Sequence, residues 1–175
     1  IISYYDFTNG NLKVAACTDS TCTAANTYTL DSTGDVGLYS SITIGRYGNP
    51  IISYHDHTNG TLKVAACNDP TCTTSNTYTL DSTDYVGWHS SIAIGLDGNP
   101  IISYHDETNG DLKVVACYNS SCTAGSNAYT LDTAGDVGMY TSIAIGTNGN
   151  PIISYYDVTN GDLKVASAWW LAGGR

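Results

Sequence analysis

Apolar and polar positions alternate in short bursts along this chain, and the bursts recur. Between Ser90 and Asp132, four apolar-rich runs stand among turn residues: Ser90-Ser-Ile-Ala-Ile-Gly95, Pro100-Ile-Ile-Ser-Tyr-His-Asp106, Leu112-Lys-Val-Val-Ala-Cys117 and Ala128-Tyr-Thr-Leu-Asp132. Each is rich in Ile, Val, Tyr and Thr, side chains that pack well on a pleated surface. No segment sustains a helical apolar period over three turns. The chain reads as all β.

The same four runs return along the sequence. Asn49-Pro-Ile-Ile-Ser-Tyr-His-Asp56 reappears as Asn99 to Asp106 and as Asn150 to Asp157, and the chain opens inside the phrase at Ile1 to Asp6. The spacing is 50, 50 and then 51 residues, the extra one lying in the loop after Cys122. Four strands per unit of about 50 residues is the arithmetic of a β-propeller blade. With the strands labelled A to D and A placed innermost, the chain holds about three and a half blades. The array is expected over 1–168, divided into 1–39, 40–89, 90–140 and 141–168, with a Trp-rich tail at 169–175. Propellers typically close with four to eight blades, so either chains associate or the array is part of a longer one.

The turns carry their own signals. Asn9-Gly10, Asn59-Gly60, Asn109-Gly110 and Asn160-Gly161 lie between strands B and C. Asn-Gly predicts a two-residue type I′ hairpin. That turn sets Asp6 opposite Lys13, and likewise Asp56 opposite Lys63, Asp106 opposite Lys113 and Asp157 opposite Lys164. Every lysine is then consumed in a cross-strand pair. Pro50, Pro100 and Pro151 fit the first residue of strand B, where no ladder donor is needed.

The phrase Ser-Ser-Ile-Ala-Ile-Gly-x-x-Gly-Asn-Pro-Ile-Ile-Ser-Tyr-His-Asp-x-Thr-Asn-Gly-x-Leu-Lys-Val-Ala resembles a repeat of secreted and surface proteins of bacteria. The resemblance covers residues 1–168. It implies a propeller-like fold and carries little about activity, because such repeats are attached to varied extracellular proteins. The hairpins also look distantly like the Asp-box of sialidase-type propellers, without that motif's terminal aromatic. That family clamps its substrate carboxylate with three arginines, whereas this chain has Arg46 and Arg175 alone.

Composition narrows the functional classes. The 175 residues are 42% hydrophobic and 13% charged, with a net charge of −10. Such a surface repels phosphate backbones and anionic lipid, so nucleic-acid binding is not expected. No apolar run approaches the roughly 20 residues of a membrane-spanning helix, so membrane insertion is not expected either. The chain begins at Ile1 without Met, which suggests a processed chain or a fragment.

Six cysteines fall as Cys17/Cys22, Cys67/Cys72 and Cys117/Cys122, one pair per repeat, and Ala168 stands where a fourth pair would begin. A local disulfide clamping each C-to-D loop is the simplest account, and zinc or iron–sulfur ligation is its rival. Disulfides require an oxidising compartment, so an extracellular, cell-surface or periplasmic location is expected.

No catalytic residues stand out, and an enzyme is not expected. Ser53-Tyr-His55-Asp56 contains triad residue types, but along a strand Ser and His share one face and Asp takes the other. Near-identical units replicate side chains, whereas an active site needs unlike groups converging once; replication suits multivalent binding. Two features could hold a ligand. The D-to-A loops carry Asp31, Asp35, Asp81, Asp84, Asp132 and Asp136, hard oxygen donors that could hold Ca²⁺. Tyr39, Trp88, His89 and Tyr140 stand just after those loops, where rings could stack on sugars. Trp169 and Trp170 in the tail suit an assembly contact. The favoured function is a multivalent module binding carbohydrate or protein. A structural subunit that assembles through incomplete blades is the alternative, and a fragment of an extracellular hydrolase trails both.

Overall fold

The computed structural model describes residues 1–168, and the tail positions Trp169 and Trp170 lie outside the described residues. Within it the chain forms 14 antiparallel strands in four consecutive sheets. The first sheet holds β1 (Ile2–Asp6), β2 (Asn11–Cys17) and β3 (Ala25–Asp31), the B, C and D strands of a blade. The second is complete, with β4 (Val36–Ile44), β5 (Pro50–Asp56), β6 (Thr61–Cys67) and β7 (Ser75–Asp81). So is the third, with β8 (Val86–Ile94), β9 (Pro100–Asp106), β10 (Asp111–Cys117) and β11 (Ser126–Asp132). The fourth holds A, B and C as β12 (Val137–Ile145), β13 (Pro151–Asp157) and β14 (Asp162–Ser167). Each A strand starts four residues ahead of the residue expected to open it (Ser40, Ser90 and Thr141), at a Val-Gly pair. Strands β4, β8 and β12 lie side by side, while the D strands barely touch, so the sheets radiate from the A strands.

The B-to-C register differs from the expectation. Asp6 pairs with Asn11, and Lys13 sits opposite Tyr4; the later copies repeat this offset. The cause is the aspartate at the end of strand B. Asp6 accepts hydrogen bonds from the Thr8 backbone N–H (3.2 Å) and from Asn9 Nδ2 (2.9 Å), wrapping a four-residue loop around its carboxylate. Of the Asn-Gly pair, only Gly10 has positive φ, at 66°. Each lysine still reaches the Asp of its own hairpin diagonally, at 3.5–3.7 Å. From the second sheet onward, however, its nearest carboxylate belongs to the preceding sheet.

Apolar side chains gather into three clusters, one at each junction between consecutive sheets. At the first junction Leu12 and Val14 of β2 meet Ile52 and Tyr54 of β5 and Ala65 of β6. The alternation of strand side chains explains the division, because one face of each C strand looks forward and the other back. Disulfides join Cys17 to Cys22, Cys67 to Cys72 and Cys117 to Cys122, as the spacing predicts. Cys67 and Cys72 also fill the first junction, and Cys117 and Cys122 the second, so these bridges serve as core as well as clamp.

Candidate binding site on the inner strands

A polar ladder closes each junction. Asp31, at the end of β3, lies against the next sheet, where Lys63 Nζ stands 2.5 Å and the Tyr54 hydroxyl 2.7 Å from its Oδ2. Asp81 meets Lys113 at 2.7 Å and Tyr104 at 2.6 Å, and Asp132 meets Lys164 and Tyr155 in the same way. Burial pushes the Asp31 and Asp81 carboxyls up, but the hydrogen bonds from lysine, tyrosine and Thr33 or Thr83 outweigh it, and both titrate below the ordinary carboxylate range. The same balance brings Asp132 down to about 2. Burial beside these carboxylates raises Tyr54 and Tyr104 far above the usual phenol value.

The six aspartates expected as calcium donors each stand beside a partner within the protein. Asp31, Asp81 and Asp132 are already neutralised by lysine across the junction. Of the other three, Asp35 accepts from the Tyr5 hydroxyl at 2.6 Å, Asp84 from Asn109 Nδ2 at 3.1 Å, and Asp136 Oδ1 lies 3.8 Å from His105 Nε2. Among the described residues no group of three or more His, Cys, Asp or Glu side chains could hold a metal ion.

The aromatic residues do come together. Each A strand opens with Val-Gly, and the second residue after that glycine lies in the left-handed region: Tyr39 (φ 52°), His89 (φ 53°) and Tyr140 (φ 53°). The strand bulges there against its B-strand partner, where Leu38 pairs with His55 and pairing resumes at Ser41 and Ser53. A hydroxyl from the following sheet holds each of the first two bulges. Ser90 Oγ donates to the Tyr39 carbonyl, and Thr141 Oγ1 donates to the His89 carbonyl, both at 2.9 Å. Non-glycine residues at positive φ are costly, by about 1–3 kcal/mol each. Three of them at one repeated position place three rings in a row.

Tyr39 and His89 are 4.4 Å apart between ring centroids, and His89 and Tyr140 4.2 Å. Trp88 joins at 5.2 Å from Tyr39. Tyr39, Trp88 and His89 are half-buried, while Tyr140 is exposed. Burial, with the neighbouring His105 imidazole, lowers His89 to about 4, so the His89 ring stays neutral at physiological pH. All four candidate ligand residues thus lie in one contiguous aromatic strip.

Two neighbours of the strip escaped the sequence reasoning. Tyr85 donates or accepts a hydrogen bond with His57 Nδ1 at 2.6 Å, and both rings lie against buried His55. Their signal was visible as a mismatch between copies: Tyr85 stands where Asp35 and Asp136 stand in the other units. The triad residue types behave as strand geometry requires. Ser53 Oγ bonds Ser90 Oγ, and His55 Nδ1 bonds the Val86 carbonyl, so neither serves a relay with Asp56. Away from the strip, a cavity between the second and third sheets is lined by Arg46, Tyr47, Cys67 and Ser121 among others.

The radial sheets and repeated junctions define a β-propeller-type protein of about three and a half blades. No known family model matches the sequence, and no curated protein matches it. Solved structures share the fold. NanB, solved with optactamide, superposes with a TM-score of 0.59 at 15% identity, over 95% of this chain and 27% of NanB. The intramolecular trans-sialidase from Ruminococcus gnavus, in complex with oseltamivir carboxylate, gives 0.54 at 15% identity, over 98% of this chain and 43% of its own. An α-L-arabinofuranosidase from Lactobacillus brevis gives 0.51 at 11% identity, over 74% of this chain and 48% of its own. The chain therefore spans less than half the length of each, and at these identities the likeness establishes fold alone.

Proposed function

We propose that this protein is a non-enzymatic, extracellular carbohydrate-binding module. The observation that carries this is the strip of Tyr39, His89, Tyr140 and Trp88 on adjoining inner strands. Aromatic faces offer the apolar C–H side of a sugar ring a flat surface at little cost in side-chain entropy. Repetition of the ring position in consecutive units suits a chain of sugars better than one small molecule. Two fold neighbours are a trans-sialidase and an α-L-arabinofuranosidase, and that company favours sugar over protein as the ligand. Three disulfides support an oxidising compartment. The test is binding of the folded, non-reduced protein to a broad glycan array. Saturable binding is expected, weakened at least tenfold, or about 1.4 kcal/mol, by Trp88→Ala. Silence across the array sinks the proposal.

A second reading is favoured by the junctions. In the second and third sheets Tyr54 and Tyr104 are fully buried by the preceding sheet. The first sheet presents the equivalent face, with Ile2 51% exposed and Tyr4 half-buried. Lys13 on that face has Asp6 as its ion-pair partner among the described residues. A second copy of the chain, laying its three-stranded fourth sheet against this face, would cover it in head-to-tail fashion. Sedimentation equilibrium should then give a multiple of the single-chain mass. A single-chain mass with one cooperative unfolding transition rules this reading out.

A further inference from the structure

The units copy nearly every side chain, so the places where the second unit departs from the others carry information. His57 stands where the other copies have Phe7, Glu107 and Val158. Tyr85 replaces Asp35 and Asp136, and Trp88 replaces Leu38 and Met139. His57 follows the second sheet's B strand, whereas Tyr85 and Trp88 sit at the start of the third sheet. All three nevertheless meet around His55, with ring centroids 5.9, 5.1 and 5.6 Å from its own. Unlike groups converge here once, in a chain that otherwise repeats itself.

The chemistry of this station is incomplete. His55 is fully buried, and its Nδ1 stands 2.8 Å from the Val86 carbonyl oxygen. A carbonyl only accepts, so Nδ1 carries the proton and Nε2 presents a bare lone pair. That Nε2 is sealed from solvent and has no hydrogen-bond partner; the same holds for Trp88 Nε1, a donor. In the following unit the equivalent His105 Nε2 lies 3.3 Å from Glu107 and 3.8 Å from Asp136. In the first unit the Tyr5 hydroxyl is bonded to Asp35. The second unit has lost both acids, and the Tyr85 hydroxyl that replaces one is engaged by His57. A buried polar group left unpaired costs roughly 1–3 kcal/mol, and here an acceptor and a donor are both left unpaired, on rings whose centroids are 5.6 Å apart.

We infer that this station is the specificity subsite of the sugar strip, taking one hydroxyl of a neutral sugar that donates to His55 Nε2 and accepts from Trp88 Nε1. The inference rests on the carbohydrate reading above. A hydroxyl is the small group that donates and accepts at once. A carboxylate cannot donate to His55, and it meets an acidic protein with a net charge of −10. Burial also depresses the His55 imidazole, which keeps Nε2 an acceptor. The sugar ring then lies on Tyr39, whose face adjoins Trp88. Entry requires the half-buried Trp88 ring to turn aside. Neutral sugars should therefore be preferred over acidic ones such as sialic acid.

The test uses protein labelled with ¹⁵N at its three tryptophan indoles, with the Trp88 signal assigned by its loss in Trp88→Met. Methyl glycosides of neutral hexoses, and N-acetylneuraminic acid, are titrated in. Saturable movement of the Trp88 signal by a neutral glycoside is expected, with at least tenfold weaker binding of the acid. Trp88→Met and Tyr85→Asp each install a residue that another unit carries in the same fold, as Met139 and Asp136. Each should weaken binding at least tenfold while leaving the unfolding midpoint within a few degrees. Sugar binding with a still Trp88 signal, unchanged affinity in both variants, or preference for the acid overturns the subsite and leaves the carbohydrate reading standing. Binding of no sugar at all overturns the carbohydrate reading itself, and the subsite with it.

Discussion

Asp81→Asn should destabilise the protein by about 3–5 kcal/mol, the usual consequence of removing one partner from a buried ion pair. Asp81 is 5% exposed, and it receives Lys113 Nζ at 2.7 Å and the Tyr104 hydroxyl at 2.6 Å from the next sheet. Asparagine keeps the shape and loses the charge. Lys113, 8% exposed, is then left with Asp106 at 3.7 Å as its remaining carboxylate. Urea denaturation at neutral pH measures the effect, and a loss under about 1 kcal/mol would mean that the ladder behaves like a surface pair. The pH dependence has a definite sign. The folded Asp81 carboxyl titrates below its ordinary value, so its stabilisation is fully present above the unfolded carboxyl pKa of about 3.9. It fades as pH falls through that value toward the folded one. The gap between variant and parent should therefore close in acid. Replacing both partners by apolar residues, as Asp81→Leu with Lys113→Met, should recover much of the loss.

Gly87→Ala should be of similar severity, about 4 kcal/mol, for a different reason. Gly87 has φ of 96°, and a Cβ there would stand 2.9 Å from the Leu62 Cα and 3.1 Å from its N. Both are backbone atoms of the preceding sheet, so no side chain can turn away. Left-handed strain of about 1–3 kcal/mol adds to an overpacking cost of the same size. Gly87 directly precedes Trp88 and His89, so the variant should also disturb the aromatic strip. Denaturant unfolding followed by circular dichroism decides the matter, and a loss under 1 kcal/mol refutes the close approach.

The sequence announced its strands because Ile-Ile-Ser-Tyr alternates cleanly and because Pro and Gly punctuate each copy. It misled about register, since Asn-Gly at positions 9 and 10 speaks for a two-residue turn while the Asp6 carboxylate draws the loop to four. The start of each A strand was hidden for a related reason: the bulge at Tyr39, His89 and Tyr140 interrupts the period-two pattern. The lysine partners of Asp31, Asp81 and Asp132 are not legible in the sequence because they lie far along the chain; Lys63 is 32 residues beyond Asp31. Composition cannot show that pairing, and only the stacking of sheets creates it. The aromatic positions were legible because they vary between copies whose surroundings stay constant. For His55 the sequence offers only the triad residue types around it, because what makes it notable is the loss of partners supplied by two other segments.

Every junction is closed by an aspartate from one unit and a tyrosine and lysine from the next, so the ladder has the same teeth at each step. If residue 49 were joined directly to residue 100, Asp31 would face Tyr104 and Lys113 in place of Tyr54 and Lys63, and the seam would still match. An array built this way can lengthen or shorten by whole periods through gene duplication and deletion, without redesigning any seam. The His55 station follows the opposite rule. Written once and spanning two sheets, it is deleted or doubled with the segment that encodes it, so the architecture separates what may be counted from what must be kept.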